Sequence, residues 1–236
     1  MSYMNKRIVA VLPAKSRSVR VPYKNLRYLG GKPLVQHMVE SCKKVLYFDE
    51  VFILSPDIVL KRVADRLGVS FFHLRRWKQD RVQTNDDFMF EFISYIKCDI
   101  VILCNPTSPF IDEQIIYSFI DFMLDNNLET VHSVKNVFSQ VLYKDKPVNF
   151  DPDGCFTFTQ DLCPVKIFVN GLMGFDCVSF LDRFKRLGYA SFGMGGSVGY
   201  FVLSGLDAID IDWEDDFRIA EYLFDGKSKL QRKDLK

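Results

Sequence analysis

Four short, continuous apolar runs constrain the fold more than any other feature of this sequence. They read IVAVL at 8–12, VFIL at 51–54, VSFF at 69–72 and IVILC at 100–104. Runs of this length without polar alternation are typical of strands buried on both faces. Amphipathic segments of helical length lie between and after them, at 33–45, 57–67, 86–96 and 112–124. This alternation predicts βαβ units in a mostly parallel, doubly wound sheet.

The second half of the chain has a different residue pattern. The turn-rich segment 145–154 and the proline-interrupted residues that follow it, up to Phe168, predict a small antiparallel excursion from the main sheet. A further strand is predicted at 209–211 and a helix at 214–224. We therefore expect one domain over 1–236, with 135–175 as an arm.

Charge is balanced overall but segregated along the chain. There are 31 Lys and Arg residues against 30 Asp and Glu, which argues against a protein that coats nucleic acid. Residues 1–39 contain eight cations and no carboxylate, whereas 207–216 contain six carboxylates and no cation. A basic beginning and an acidic end therefore have to be explained together.

The cysteines and the hydropathy pattern indicate a cytoplasmic location. None of the six cysteines forms a C-x-x-C pair, and the three histidines give no zinc spacing, so reduced, structural thiols are expected. The first apolar run is too short for a secretion signal, and no stretch approaches the ~18 apolar residues of a membrane span. We expect neither a membrane nor a nucleic acid as partner.

The segment after the first predicted strand is a candidate phosphate-binding loop. Ligands bind at the carboxyl ends of parallel strands, and this segment carries six cations between Lys15 and Lys32. Cations and exposed backbone N–H groups offset phosphate charge. An ordinary solvated basic loop is the alternative, but it does not account for the missing carboxylates. Neither the P-loop nor the G-x-G-x-x-G pattern is present.

The pattern of this loop also suggests a family. Its distinctive residues, in register over about 22 positions, are Pro13, Ala14, Pro22, Lys24, Asn25, Leu29 and Gly31-Lys32-Pro33-Leu34. With them the segment resembles the nucleotide-binding signature of the acylneuraminate cytidylyltransferases, which include CMP-sialic acid synthetases and, more distantly, CMP-Kdo synthetases. Lys15 replaces the usual Arg, and Arg17 and Val19 interrupt the usual Gly-Ser-Lys. Lysine lacks the bidentate fork of arginine, so phosphate geometry at Lys15 is expected to differ.

Three later segments match the same family in order. Asn105-Pro106-Thr107-Ser108-Pro109 resembles its Q-P-T-S-P turn, with Asn for Gln, although any strand-to-helix turn can use such residues. Arg76, Asp80, Thr84 and Asp86 resemble a nucleotide-binding run in which plain helix capping by Thr84 is the alternative. Asn170-Gly171 resembles a sugar-pocket segment, and Thr159 stands where many members have Arg.

The acidic end is a candidate metal site on physical grounds alone. Two residues apart on a strand, Asp210 and Asp212 point to one face, and carboxylates about 5 Å apart repel by ~3 kcal/mol at an effective dielectric near 20. Mg²⁺ characteristically takes one or two carboxylates together with phosphate oxygens and waters. The alternative is a solvated turn whose acids favour the next helix. The segment also resembles the family's closing I-D-I-D-x-x-x-D motif.

The resemblance implies a nucleotide-diphospho-sugar transferase-like, Rossmann-like three-layer α/β/α fold and a Mg²⁺-dependent transfer of CMP from CTP to an acidic, sialic-acid-like sugar. It implies a homodimer formed through the 135–175 arm. The implied catalytic residues are Lys15, Lys24, Asp210 and Asp212, the last two as metal ligands. The implied nucleotide-binding residues are Pro13, Ala14, Lys15, Ser16, Arg17, Lys24, Asn25 and Thr84. The implied substrate-binding residues are Asn105, Thr107, Ser108, Asn170 and Gly171.

Three other functions are compatible with the sequence. One is a nucleotidyltransferase of the same fold that acts on a sugar phosphate or phosphonate. Another is a metal-dependent glycosyltransferase that uses the D-x-D pair. The third is a non-catalytic homologue that serves as a nucleotide-binding or assembly subunit.

Overall fold

A seven-stranded sheet forms the centre of the computed structural model, which describes residues 6–75, 84–193 and 195–233. The strands are β1 Ile8–Pro13, β2 Tyr28–Leu29, β3 Lys32–Pro33, β4 Glu50–Ser55, β5 Ser70–His73, β6 Ile100–Cys104, β7 Thr130–Val137, β8 Leu142–Tyr143, β9 Lys146–Pro147, β10 Val165–Asp176 and β11 Val198–Val202. The helices are α1 Leu34–Lys43, α2 Val59–Leu67, α3 Asn85–Tyr95, α4 Glu113–Asp125, α5 Cys177–Leu187 and α6 Glu214–Lys233.

The main sheet has the strand order β11-β7-β10-β6-β1-β4-β5. All of its pairings are parallel except those of β10, which runs antiparallel to both β6 and β7. The pairs β2–β3 and β8–β9 form two small separate hairpins. The predicted, mostly parallel doubly wound sheet is thus confirmed, and its antiparallel strand lies inside the sheet.

Helices cover both faces of this sheet, as continuous apolar strands require. In β1, Ala10 and Leu12 face a core shared with α1, α2 and α4, whereas Val9 and Val11 face a core shared with α3 and α5. All four side chains are fully buried. The three-layer α/β/α arrangement follows from this alternation of two apolar faces along a single strand.

A third, smaller cluster fixes the loop that follows β1. Val21 and Leu29 from this loop pack with Ile211 and with Phe217 of α6. The hairpin within the loop turns at Gly30 and Gly31, whose φ angles of 54° and 87° lie in the left-handed region that glycine tolerates. The N-terminal loop and the acidic segment near the end of the chain are therefore held against each other by apolar packing.

Two parts of the secondary structure differ from the sequence-based expectation. The predicted strand at 209–211 is wrong, because these residues form an extended segment outside every ladder, after a 3-10 turn at Gly205–Ala208. Strands β7 and β11 and helix α5 were not predicted from the sequence. Between β7 and β10, the chain makes an excursion that contains the β8–β9 hairpin.

Within the described residues, no helix has the length and apolar character needed to cross a membrane.

Candidate active site

A cavity of about 490 Å³ lies at the carboxyl ends of β1, β4 and β6. This is the edge of a parallel sheet at which ligands are expected. Most of the residues singled out by the sequence line it together. They are Pro13, Ala14, Lys15, Arg17, Lys24, Asn25, Asn105, Thr107, Asn170, Asp210 and Asp212. The structure therefore gathers segments from both ends and the middle of the chain around one space.

Lys24 is the cation that meets the acidic segment most closely. It lies in a 3-10 turn, Lys24–Leu26, and is buried. Its Nζ donates to the carbonyl oxygen of Ile211 at 2.5 Å and is 3.6 Å from Asp212 Oδ1. Burial lowers the pKa of Lys24, and the negative charges of Asp212 and Asp210 oppose that effect. The ammonium group is thus fixed at the junction of the basic and acidic segments.

Backbone hydrogen bonds hold the acidic segment in place without a sheet ladder. The Ile211 amide donates to the carbonyl oxygen of Thr107 at 2.9 Å, and the Ile211 side chain is fully buried. Asp216 Oδ2 accepts from the amides of Asp212 at 2.9 Å and Trp213 at 2.7 Å. The segment is therefore anchored to the turn after β6 on one side and to the start of α6 on the other.

Asp210 and Asp212 have different environments in the cavity. Burial raises the pKa of Asp210, a hydrogen bond from the Thr107 side chain opposes this, and the charge of Asp212 adds to it. Asp210 Oδ1 is buried and has no hydrogen-bond partner among the described residues. Asp212 Oδ1, in contrast, accepts from Arg20 Nη2 at 2.7 Å. One carboxylate oxygen is thus unsatisfied and another is paired with a cation.

This donor set fits a hard divalent cation. An unsatisfied buried carboxylate oxygen is costly, and a metal ligand bond removes the cost. No group of three or more His, Cys, Asp or Glu residues placed to hold a metal occurs in the described part of the chain. Two carboxylates leave several coordination positions, and Mg²⁺ fills these with phosphate oxygens and waters.

The rest of the lining is cationic and polar. Lys15, Arg17, Arg20 and Lys24 against Asp210 and Asp212 give four positive and two negative side chains, a surplus of two positive charges. Burial lowers the pKa of Lys15, and the nearby charge of Asp57 opposes this. Asn25 Nδ2 donates to the carbonyl oxygen of Lys15 at 3.0 Å, and Asn25 Oδ1 remains a buried acceptor without a partner among the described residues.

Four of the predicted site residues lie outside this lining. Ser16 donates from both its amide and its hydroxyl to Asp57 Oδ2, at 2.7 and 2.8 Å, and so fixes the loop. Ser108 is fully buried beneath the cavity. A Cβ at Gly171 would lie 2.7 Å from Ile111 Cδ1 and 3.2 Å from Ser108 Oγ, so a larger residue there would displace the end of the Ile111 side chain.

Thr84 is the fourth residue outside the lining. It forms a capping box at the start of α3: Asp87 N donates to Thr84 Oγ1 at 3.4 Å and Thr84 N donates to Asp87 Oδ2 at 3.0 Å. The other members of the predicted run, Arg76 and Asp80, lie outside the described residues. Asp86 accepts from the amides of Ala190 and Ser191, both at 2.6 Å.

Replacing Thr84 with alanine is therefore expected to lower stability rather than nucleotide affinity. Loss of the capping hydroxyl costs about 1 kcal/mol, which corresponds to a fall of about 2–4 °C in Tm for a chain of this length. Thermal unfolding and CTP titration of the variant check this. A variant with unchanged Tm and weakened CTP binding would contradict the capping role.

An apolar wall of the cavity was not predicted. Leu54 lies near the end of β4, Pro56 follows β4 and Leu74 follows β5, while Phe88 and the polar Asn85 come from the first turns of α3. The part of this wall at the ends of β4 and β5 could have been predicted from the apolar runs at 51–54 and 69–72. The carboxyl ends of neighbouring parallel strands share one sheet edge, where ligands bind.

The fold and the cavity define a three-layer α/β protein with a cationic pocket that contains a carboxylate pair. A family model described as Cytidylyltransferase matches residues 9–153, more than half of the sequence. The chain therefore belongs to the cytidylyltransferase family, and the resemblance noted in the N-terminal loop is confirmed.

Curated relatives match part of their length. CMP-N,N'-diacetyllegionaminic acid synthase of Legionella pneumophila is 34% identical over 110 residues, covering 44% of this chain and 47% of the relative. A 3-deoxy-manno-octulosonate cytidylyltransferase of Pelobacter propionicus is 30% identical over 119 residues, with 50% and 45% covered. The N-acylneuraminate cytidylyltransferase of Escherichia coli is 28% identical, with 46% and 26% covered. The chain spans about half the length, or less, of these relatives.

Solved structures support the fold class over nearly the whole chain. A CMP:2-keto-3-deoxy-manno-octonic acid synthetase complexed with CTP has a TM-score of 0.74 at 16% identity, covering 94% of this chain and 99% of that one. The 4-diphosphocytidyl-2C-methyl-D-erythritol synthase of Anaerococcus prevotii has a TM-score of 0.69 at 15% identity, with 93% and 96% covered. The predicted nucleotide-diphospho-sugar transferase-like architecture is thus confirmed.

Proposed function

We propose that this protein transfers CMP from CTP to an acidic, sialic-acid-like sugar in a Mg²⁺-dependent reaction that releases pyrophosphate. The observation that carries this proposal is the meeting of the basic loop and the Asp210–Asp212 pair in one cavity of about 490 Å³. A triphosphate needs cations, and its metal needs carboxylates, at the same place. The names of the relatives, which are synthases and transferases of CMP-linked acidic sugars, agree with it.

In this proposal the protein supplies charge compensation and positioning. The anomeric hydroxyl of the sugar, or a nearby oxygen, attacks the α-phosphate in line, and pyrophosphate leaves. Lys15 and Lys24 bind the phosphates together with Arg17, and Lys24 is held for this by its hydrogen bond to Ile211. Asp210 and Asp212 would hold Mg²⁺, which would supply Lewis-acid polarisation of the phosphoryl oxygens.

The nucleotide and the acceptor occupy different parts of the cavity. Pro13 and Ala14 form its floor at the end of β1, and the unpaired Asn25 Oδ1 accepts a hydrogen bond from the base or ribose of CTP. Asn105 and Thr107 follow β6, and Asn170 lies in β10. These three residues would contact the acceptor. Ser108 and Gly171 are the chain neighbours of Thr107 and Asn170, and they pack closely against each other.

We propose a nonulosonate as the acceptor because the relatives are named for CMP-linked acidic sugars. The charges of the site would also suit another kind of anion. Thr159 lies in an exposed 3-10 turn, Thr159–Asp161, outside the cavity lining, so it provides no cation for a sugar carboxylate. The two surplus positive charges of the lining would equally suit the phosphate of a sugar phosphate or phosphonate.

Measurement of pyrophosphate release tests the proposal. Purified protein is incubated with CTP and with each of N-acetylneuraminic acid, N,N'-diacetyllegionaminic acid, Kdo, a sugar phosphate and a phosphonate, with Mg²⁺ or with EDTA. We expect turnover with one of the acidic sugars, and none in EDTA. Turnover with only the phosphate or phosphonate would favour the second acceptor class, and no turnover together with no CTP binding would contradict both.

We further propose that the protein is a cytoplasmic homodimer. The structure contains its six cysteines as free thiols, which is compatible with a reducing compartment. Large apolar side chains are exposed along the excursion between β7 and β10 and at the start of β10. They are Phe138, Leu142, Tyr143, Val148, Phe156, Phe158, Ile167 and Phe168. Large apolar side chains exposed together along one segment are typical of an association site.

The paired change of Leu142 and Tyr143 to lysine is expected to convert the dimer to a monomer. Both side chains are more than half exposed in the chain alone, and four such changes per dimer would bring charge into the interface. Light scattering after size exclusion measures the mass. Tyr222→Lys, at an exposed position of α6, is the matched control that should leave the mass unchanged. A wild-type monomer would contradict the dimer.

A further inference from the structure

Arg20 occupies a place on the rim of the cavity that the proposed reaction does not require. Its guanidinium donates from Nη2 to Asp212 Oδ1 at 2.7 Å. The same guanidinium lies over the exposed indole of Trp213, with its central carbon 5.2 Å from the ring centroid. A carboxylate that is proposed as a metal ligand is thus paired with a cation of its own chain.

The two cations near Asp212 differ in how firmly they are held. Lys24 is buried, and its Nζ is fixed by the Ile211 carbonyl oxygen. Arg20 is on the surface: its side chain is 46% exposed and that of Asp212 is 42% exposed. Ion pairs in such positions contribute little to stability because water solvates both partners. Arg20 can therefore leave Asp212 at small cost, whereas Lys24 cannot leave.

Departure of Arg20 would not release the carboxylate from its position. The backbone on either side of the Asp212 side chain is held by Asp216 Oδ2 and by the Ile211 hydrogen bond to Thr107. Asp212 therefore stays where Asp210 can join it in binding a cation. Arg20 itself lines the same cavity, so its side chain can reach a bound anion without a change of the fold.

We propose that Arg20 is a positioning residue that exchanges partners when the substrate binds, an inference that rests on the proposed function. In the ligand-free protein, Arg20 neutralises Asp212. When Mg²⁺ and CTP bind, Asp212 would become a metal ligand and Arg20 would move from Asp212 to the triphosphate. A guanidinium and a divalent cation beside the same carboxylate repel each other, so metal binding at Asp212 weakens its contact with Arg20 and favours the move of Arg20 to the triphosphate.

This exchange predicts opposite effects of one substitution on two affinities. In Arg20→Gln the competitor for Asp212 is gone, so free Mn²⁺ should bind about 3–10-fold more tightly. The charged contact to the triphosphate is also gone, so CTP in the presence of Mn²⁺ should bind about 5–30-fold more weakly. A purely structural role for Arg20 would weaken both, and an inert surface residue would change neither.

The experiment measures Mn²⁺ binding by electron paramagnetic resonance without nucleotide, and CTP binding by calorimetry at saturating Mn²⁺. Wild type, Arg20→Gln and Arg20→Lys are compared. Arg186→Gln is the matched control, because Arg186 forms a similar exposed pair, with Asp182 at 3.0 Å, on α5. Trp213 fluorescence in a Trp77→Phe background, which leaves one tryptophan, reports the departure of Arg20 from the indole.

Opposite changes of the two affinities in Arg20→Gln, with Arg186→Gln unaffected and Arg20→Lys close to wild type for CTP, would support the exchange. Changes in the same direction, or none, in a protein whose wild type binds CTP would overturn the exchange and leave the proposed function intact. A wild type that binds Mn²⁺ but not CTP would contradict the proposed function and, with it, the nucleotide half of the exchange.

Discussion

Replacement of Asp210 with asparagine is expected to lower the rate of pyrophosphate release by about 10²–10³-fold, the loss typical of one electrostatic group that acts in the transition state. Asparagine keeps the size of the side chain and an acceptor oxygen, but it removes the charge that would hold Mg²⁺. Steady-state assays with CTP, the preferred acceptor and varied Mg²⁺ measure the effect. Higher Mg²⁺ should recover only a small part of the lost rate.

The same substitution is not expected to destabilise the fold. Because burial raises the pKa of Asp210, the native state binds the proton more tightly than the unfolded chain does. Stability is therefore lost as the pH rises from the unfolded pKa through the native one. Asparagine removes this loss, so the Tm of Asp210→Asn at pH 7 should equal or exceed that of the wild type. An inactive variant with a lowered Tm would indicate a structural role instead, and full activity would contradict a metal ligand at Asp210.

Replacement of Phe217 with alanine is expected to have the largest effect on stability. Phe217 is fully buried where the loop after β1, the acidic segment and α6 meet, and it packs with Leu29 and Ile211. The guanidinium of Arg27 also lies 4.0 Å from the centre of its ring. Truncation of a buried Phe to Ala costs about 3–5 kcal/mol, so the Tm should fall by about 10 °C. Differential scanning calorimetry measures both quantities.

A control on the same helix separates packing from helix propensity. Ile219 is 52% exposed, so Ile219→Ala should change the free energy of unfolding by less than about 1 kcal/mol. Phe217→Leu, which keeps most of the volume, should recover more than half of the loss. Equal effects of the two alanine substitutions would show that the cluster does not anchor the acidic segment.

The core of the sheet could be predicted because its strands are buried on both faces. The apolar runs at 8–12, 51–54, 69–72 and 100–104 became β1, β4, β5 and β6 with only small shifts of their ends. β7 was not predicted because buried polar residues interrupt its apolar pattern. Thr130, His132 and Ser133 are all buried in β7, and sequence patterns treat such residues as exposed.

Many residues of the candidate site could be predicted from the sequence, but their local geometry could not. Ile209 and Ile211 indicated a strand at 209–211, but the segment is held by single hydrogen bonds from Ile211 to Thr107 and from Lys24 to Ile211. These bonds come from parts of the chain about 100 and 190 residues away, and no local pattern encodes them. The pair of Asp212 with Arg20 was missed for the same reason.

The meeting of the two charged segments also has a consequence for the order of events during synthesis. Lys24 and the Ile211 carbonyl that it contacts are 187 residues apart in the chain. At about 5–20 residues per second, a ribosome needs about 10–40 s to make the intervening sequence. Until then the eight cations of residues 1–39 emerge without the carboxylates of 207–216. Arg7 and Lys32 find their partners Glu50 and Glu40 early in synthesis, whereas Arg20 and Lys24 wait for Asp212. The loop after β1 therefore presents unpaired positive charge to the surrounding polyanions until the last part of the chain is made.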